Sequence, residues 1–316
     1  MKVSVIIPTF NRSDMLCECM QSVLSSTHKD IEAIVADDCS SEDIRGALLK
    51  RFGDDSRIKY TRTPFNGFTA LARNCGARIA EGEYMFFLDS DNVLEPDAIS
   101  ELLKCFARHS KAAFVAPVTA HWSKGRCHGL WSLGSFYNPW TGRGNDRNKD
   151  RLSVKSYPPQ FDEDFPTSYS PNAFMVTREA FMAVNGFDSG YGMQFDEADF
   201  GLRVTSKVGE GYICGSAFTR HLGYLDPDTT PLVRGYGIGF PKRAYCFGRN
   251  RVKFARRHFY FLQALVITLV FAPLSAVFYC RIALKEKRPD IALAYLQGTL
   301  AGMLGLYKSK FFDVCT

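Results

Sequence analysis

The sequence predicts an α/β fold: a mostly parallel sheet flanked by helices, followed by C-terminal membrane-associated helices. Three observations carry this. Short β-branched runs alternate with stretches of helical spacing through the first 120 residues. Acidic residues cluster directly after two of those runs, and a basic and then uncharged stretch closes the chain. With 46% hydrophobic and 23% charged residues, the composition excludes disordered, collagen-like and disulfide-scaffold classes.

The elements follow in order. Val3 to Ile7 is a β-branched run ending at Pro8, which reads as a buried strand. After a polar start at Asn11 to Ser13, Met15, Leu16, Cys19, Met20, Val23 and Leu24 recur at helical spacing. Ile31 to Ala36 is the next strand, followed by DDCSSED and a short helix to Lys50. Ile58 to Arg62 is a third strand, and a Gly/Ala-rich helix spans about Gly67 to Ala80. Tyr84 to Leu88 is the fourth strand, followed by DSD and a helix after Pro96; Ala112 to Val118 is the fifth. Residues 121–170 lose clean periodicity and read as a long loop region with two irregular strands. A helix from Arg178 to Val184, the turn GFD, and a helix from about Asp196 to Lys207 complete this part.

Charge divides the chain. Residues 1–233 hold 25 Lys and Arg against 30 Asp and Glu, whereas residues 234–316 hold 14 against 3. A mildly acidic body with a basic, greasy tail excludes nucleic-acid binding and favours attachment to an anionic membrane. The organisation expected is a catalytic domain over 1–233, a basic juxtamembrane segment over 234–258 and a hydrophobic helical tail over 259–316. Phe259 to Cys280 is 22 uncharged residues interrupted by Pro273; as a helix this is about 33 Å, enough for a bilayer core of roughly 30 Å. Ile291 to Leu306 is a second, shorter run containing Gly298 and Gly302 at G-x-x-x-G spacing, which suits tight helix packing or dimerisation. Basic residues flank the first run on both sides, so a hairpin or monotopic arrangement on the cytoplasmic face is favoured over a single span. The ten cysteines form no C-x-x-C pair, and the expected compartment is cytoplasmic with reduced thiols.

The chemistry is expected where the strands end, because ligands of open α/β sheets bind beyond their carboxyl edges. Asp37 and Asp38 close the second strand, and Asp89 and Asp91 close the fourth. Two carboxylates one residue apart can share a hard divalent cation, which would bridge a diphosphate that an acidic body repels. The competing reading is that these residues cap turns and helices. Asp196, Glu197 and Asp199 open a helix, where carboxylates favour the positive end of the dipole, but one of them could also serve as a general base.

The stretches VSVIIPTFNR (3–12), IVADDCSSED (34–43), NGFTALARNCGARIAEGEYMFFLDSDNVLEPDAI (66–99), FMVTREAFMAVNGFD (174–188) and FDEADFGLR (195–203) together resemble family 2 glycosyltransferases of the GT-A fold. The resemblance is to inverting enzymes of the membrane-associated, glycan-elongating, rhamnosyltransferase-like branch. It implies transfer of a sugar from a nucleoside-diphosphate sugar to a hydroxyl of a glycan acceptor, with a lipid-linked saccharide implied by analogy, and a divalent cofactor, Mn²⁺ or Mg²⁺. By this resemblance Asp38 contacts the nucleobase, Thr9 and Asn11 lie near the nucleotide, and Arg73 lies along the donor. Asp91 is the direct metal ligand, Asp89 supports the metal or the donor hydroxyls, and His221 is a further metal or diphosphate ligand. The base motif of the family usually reads Glu-Asp-x-Asp; here it is Asp196-Glu197-Ala198-Asp199, so the base is Glu197 or Asp196. Acceptor contacts are expected in 121–170, from Trp122, Trp131 and Trp140, and from Asn172. A polyprenyl-phosphate glycosyltransferase is the alternative within the class, and an inactive nucleotide-sugar-binding protein the alternative outside it. A homo-oligomer is left open.

Overall fold

The computed structural model describes residues 1–307 apart from 155, 171, 223–229, 231 and 233–237. The boundary expected at 233/234, Asp313 and Cys315 lie outside the described residues. The chain divides into two compact units: Met1–Phe136, Asp146–Phe187 and Phe200–Tyr224 form the first, and Tyr137–Asn145, Asp188–Asp199 and Leu225–Thr316 the second.

The first unit is built on a wide sheet. Strands β1 (Val3–Thr9), β2 (Ile31–Asp37), β3 (Ile58–Arg62) and β4 (Tyr84–Leu88) alternate with helices α1 (Ser13–Leu24), α2 (Ile44–Phe52) and α3 (Phe68–Ile79), as the sequence predicts. They pair in parallel in the order β3-β2-β1-β4. Both faces of these strands are covered, which is why they read as continuous apolar runs. In β4, Phe86 and Leu88 pack into one core with α1 and with α4 (Ala98–Arg108), while Met85 and Phe87 pack into the other. Phe87 there sits among Phe174, Phe181, Phe187 and Phe200, with ring centroids 5.0 to 6.3 Å from its own. Gly76 lets α3 approach the sheet, since a Cβ there would meet Ile6 Cγ2 at 2.5 Å.

The rest of the sheet corrects the mostly parallel expectation. Strand β11 (Ala173–Thr177) inserts antiparallel between β4 and β6 (Ala112–Ser123). The order then continues through β12 (Glu210–His221), parallel to β6, to β10 (Phe165–Thr167), antiparallel to β12. The sheet is therefore mixed. A parallel neighbour needs a crossover connection, and β11 is reached instead through the irregular stretch 121–170. That stretch holds more strand than the sequence suggests: β6 runs on to Ser123 and turns back as β7 (Arg126–Leu130), and β8 (Ser135–Asn138) pairs with β9 (Arg143–Asp146). A three-residue strand, β5 (Asn92–Leu94), follows β4 and pairs antiparallel with β12. Two short helices complete the described elements of the sheet region, α5 (Arg178–Ala183) and α6 (Asp196–Lys207), the latter lending only its first turn to the second unit.

The second unit is helical. Helix α7 (Pro241–His258) packs against α10 (Pro289–Met303). The contact is close because a Cβ on Gly248 would lie 2.6 Å from the Tyr295 carbonyl oxygen and one on Gly302 2.7 Å from that of Arg249. Gly298 and Gly302 are thus used for packing within the chain, one of the two roles their spacing allowed. Between α7 and α10 runs a helical stretch, Phe261–Lys285, made of α8 (Phe261–Val266), one π-helical segment (Ile267–Phe271) and α9 (Ala272–Lys285). Pro273 sits at the start of α9, where the wider turn before it accommodates a residue without an N–H. Only 28% of the most apolar window of this stretch is buried. Phe261, Leu262, Leu269, Leu274, Val277 and Leu284 are all exposed.

Candidate active site

The acidic residues predicted from the sequence lie at the carboxyl edge of the parallel strands, but their roles differ. Asp37 is fully buried and accepts hydrogen bonds from Ser40 N (2.9 Å), Tyr60 Oη (2.7 Å) and Arg62 Nη1 (2.9 Å). Asp38 fastens the 63–68 loop: Oδ1 accepts from Thr63 Oγ1 (3.1 Å) and Gly67 N (2.9 Å), and Oδ2 from Asn66 Nδ2 (3.0 Å) and Phe68 N (2.7 Å). Burial pushes its carboxyl above the usual range against those four donors. Asn11, in the left-handed region at φ 49°, turns the chain out of β1. Its Oδ1 accepts from Ser41 N (2.8 Å) and Glu42 N (3.2 Å), tying the ends of β1 and β2 together. Thr9 Oγ1 is buried and has no hydrogen-bond partner among the described residues.

The centre of the site is the turn between β4 and β5. Asp89 N donates to the carbonyl of Asn172 (2.8 Å), whose left-handed backbone (φ 56°) starts β11. Asp89 Oδ1 accepts from Arg73 Nη2 at 2.6 Å. Arg73 is 1% exposed, with its guanidinium 5.3 Å from the Phe187 ring centroid. Burial and the neighbouring Asp91 charge raise the Asp89 carboxyl, opposed by Arg73. Asp91 is placed by β5: the β5–β12 register sets Asn92 opposite His221, and Leu222 N donates to the Asp91 carbonyl at 2.8 Å. This brings Asp91 Oδ1 to 3.6 Å from His221 Nε2, and Asp91 Oδ2 accepts from Arg12 Nη1 at 2.9 Å. His221 also packs edge-on to Trp131, with centroids 4.9 Å apart, and its buried Nδ1 has no hydrogen-bond partner among the described residues. Burial lowers the pKa of His121, its cross-strand neighbour, to about 4, so that ring is neutral near pH 7.

The three tryptophans separate. Trp131 is exposed beside His221; Trp122 is half-buried against Tyr157 and beneath the Arg220 guanidinium; Trp140 is exposed in the second unit. The structure thus brings together Asp89, Asp91, Arg73, His221, Trp131 and the Asn172 backbone. Arg12 was not foreseen. Its only signal was its place directly after the first strand.

Asp196 and Glu197 belong to the second unit, Asp196 buried and Glu197 half-buried. The approach to α6 is held in an uncommon shape: Gln194 and Phe195 both have positive φ, 66° and 67°. Each such residue costs on the order of 1–3 kcal/mol and persists only where its surroundings impose it. Helix α7 imposes it. Asn250 Nδ2 donates to the carbonyls of Tyr191 (2.8 Å), Met193 (2.7 Å) and Gln194 (3.0 Å), and Arg249 Nη2 to those of Gly190 and Tyr191. Asp199, fully buried, is 2.8 Å from His258 Nε2 and 3.4 Å from Arg257 Nε. Asp188 bonds Arg257, and Lys253 keeps its carboxyl below the usual range despite burial. Arg249 and Arg251 are buried, and Lys253, Arg256 and Arg257 are engaged within the unit.

Comparison with known proteins places this geometry. Residues 4–157, just under half of the chain, match the model for glycosyl transferase family 2. An uncharacterized glycosyltransferase of Rickettsia conorii is 44% identical over 105 residues, 33% of this chain and 17% of the relative. A GalNAc(5)-diNAcBac-PP-undecaprenol beta-1,3-glucosyltransferase of Campylobacter jejuni is 38% identical over 104 residues, 33% of this chain and 34% of that protein. These matches therefore span about a sixth to a third of the relatives' length. Among solved structures, a mannosyltransferase from Pyrobaculum calidifontis in complex with GDP-Man and Mn²⁺ is similar in fold. Its TM-score is 0.59 at 14% identity, covering 96% of this chain and 87% of that one. Over residues 4–157 the chain is thus similar to family 2 glycosyltransferases, and its mixed α/β fold is GT-A-like.

Proposed function

We propose that the protein transfers a sugar from a nucleoside-diphosphate sugar to a hydroxyl of a glycan acceptor, with inversion, at a membrane surface. The observation that carries this reading is the β5–β12 register, which sets Asp91 and His221 3.6 Å apart beside the buried Asp89–Arg73 pair. Those two ligand atoms are too far apart to share a proton well and suitably spaced to share a cation. A divalent metal, Mn²⁺ or Mg²⁺, fits that donor set, with Asp91 and His221 as the residues that hold it and Asp89 in support. When bound, such an ion offsets negative charge on a diphosphate leaving group.

The other tasks fall to the chain itself. Arg73 is fixed by Asp89, so its position is set before substrate arrives and costs no reorganisation during reaction. Arg12 is half-exposed on Asp91 and supplies a second cation to the same edge. Asp38 and Asn11 hold the loops that shape the nucleotide end, where the orphan Thr9 hydroxyl offers a polar contact. Glu197 or Asp196 removes the acceptor proton, and Trp131 offers a flat face to a sugar ring. A lipid-linked saccharide is the proposed acceptor, as the name of the Campylobacter relative indicates for that protein.

The helical unit supports an in-plane membrane attachment rather than a span. Helix α10 packs on α9 and also on α7, which carries the buried Arg249 and Arg251. Were Phe261–Lys285 to cross a bilayer, α10 and then α7 would be drawn to the same depth, and arginine at the bilayer centre costs at least about 2.5–3.5 kcal/mol each. Lying in the interface, the exposed leucines and phenylalanines of this stretch meet acyl chains, while the exposed Arg281, Lys285 and Lys287 meet anionic headgroups.

The test is turnover of a panel of nucleoside-diphosphate sugars with Mn²⁺ and a lipid-linked glycan acceptor. Asp91→Asn is expected to lower release of nucleoside diphosphate at least 100-fold with unchanged thermal stability. Retained activity in that variant would refute the reading.

A further inference from the structure

At the end of α4, side chains from separate parts of the first unit converge. Cys105 and His109 stand four residues apart at the end of α4 and so share one face of it. Asp164 comes from the segment before β10, and Cys214 from β12. One ligand atom each from Cys105, His109 and Asp164 lies within 4.8 Å of the others. The Cys214 sulfur lies nearby, 3.6 Å from Arg108 Nη2. Both sulfurs are inaccessible, whereas the His109 side chain is 28% exposed and opens the cluster to solvent.

We propose that Cys105, His109 and Asp164 form a site for a thiophilic divalent cation of the zinc class, with water completing its shell on the exposed side. A sulfur, an imidazole and a carboxylate are donor types such an ion takes. With metal–ligand bonds of about 2.0–2.3 Å the edges of a tetrahedral shell are about 3.3–3.8 Å. The three donor atoms, all within 4.8 Å of one another, therefore need to move only by about one ångström or less, and the 2.9 Å contact between His109 Nε2 and Asp164 Oδ2 must open slightly. The outer groups are in place. Arg108 bonds both Asp164 oxygens at 3.0 Å and the Cys214 sulfur at 3.6 Å, Gly215 N donates to Asp164 Oδ1 at 3.0 Å, and Tyr212 stacks on His109 at 3.9 Å. Charge balances as well: the Cys105 thiolate and the Asp164 carboxylate offset a divalent ion. The ion would fasten the end of α4 to the segment entering β10. It is distinct from the catalytic cation in ligand chemistry, since Asp91 and His221 supply no sulfur.

Titration of the reduced full-length chain with Co²⁺ tests this. The expected result is a thiolate-to-cobalt charge-transfer absorption saturating at one equivalent, abolished by one equivalent of Zn²⁺ and unchanged in Asp91→Asn. Cys105→Ser is expected to remove that band, and His109→Gln, at the exposed side of the cluster, to weaken Co²⁺ binding at least tenfold. His109→Gln guards against a Cys105→Ser variant that does not fold. Absence of a sulfur charge-transfer band in the wild-type chain overturns the proposal. So does a band that persists at full strength in Cys105→Ser, or wild-type affinity in a folded His109→Gln.

Discussion

Asp91 has two neighbours with opposite demands. Arg12 neutralises one of its oxygens, whereas His221 stands off the other at a distance that leaves room for a cation. Asp89 instead serves Arg73, which has almost no solvent to fall back on. Replacing Asp89 by Asn keeps an acceptor but removes the compensating charge, and is expected to cost about 2 kcal/mol of stability, measurable by urea unfolding. Glu197→Gln and Asp196→Asn separate the two candidates for the base: the variant of the true base lowers kcat at least 100-fold with donor KM little changed, and the other does not. Glu32 gives a pH dependence away from the site. Burial acts to raise its carboxyl, but Lys59, Ser4 and the Glu81 backbone outweigh it and hold it at about 2. A depressed carboxyl stabilises the fold fully above its unfolded value near 4.5, and that contribution is lost as pH falls from there towards 2. Glu32→Gln is expected to flatten the acid limb of a stability–pH curve in that window while lowering stability at pH 7. At this scale the acidic pairs were legible, because carboxylates after apolar strands stand out. Arg12 was not, and the Asp91–His221 pairing came only from the family resemblance, since 130 residues separate the two and only a strand register joins them.

Among the elements, α7 does most to shape the segment preceding α6. Three carbonyls at 191, 193 and 194 depend on the single Asn250 amide, and the next two backbone positions in φ strain, Gln194 and Phe195, sit within that grip. Asn250→Ala is expected to destabilise the protein by about 1–3 kcal/mol, the cost of buried groups left unsatisfied. It should also reduce kcat more than it raises donor KM, which steady-state kinetics would show. The β-α alternation of the first hundred residues was legible because both faces of those strands are buried and their apolar runs are continuous. Insertion of β11 between β4 and β6 was not, because AFMVT reads equally well in either direction and nothing local states its partner. The basic segment before the apolar run was legible as charge but not as use: Arg249 is held by the Gly190 and Tyr191 carbonyls, brought from another part of the unit.

For the molecule as a whole, the proposal is sugar transfer carried out where lipid is close by, supported by the exposed apolar residues of the Phe261–Lys285 stretch. Full-length protein is expected to co-sediment with vesicles of phosphatidylcholine and phosphatidylglycerol, and high salt should weaken this only in part, since apolar burial persists when charge is screened. Leu274→Asp combined with Val277→Asp, both at exposed positions, should lower binding at least tenfold without changing the melting temperature. The charge asymmetry and the apolar run announced this unit in the sequence. Its in-plane reading needed the packing of α10 on α7.

The account turns on an ion held at the end of β4 and used to bind a diphosphate. Calorimetric titration of the wild-type and Asp91→Asn chains with nucleoside diphosphates, with Mn²⁺ and with chelator, tests it most directly. At least one nucleotide is predicted to bind the wild type ten or more times more tightly with Mn²⁺, an enhancement absent in Asp91→Asn. Equal affinity with and without the ion for every nucleotide, or an enhancement that survives the substitution, would contradict it.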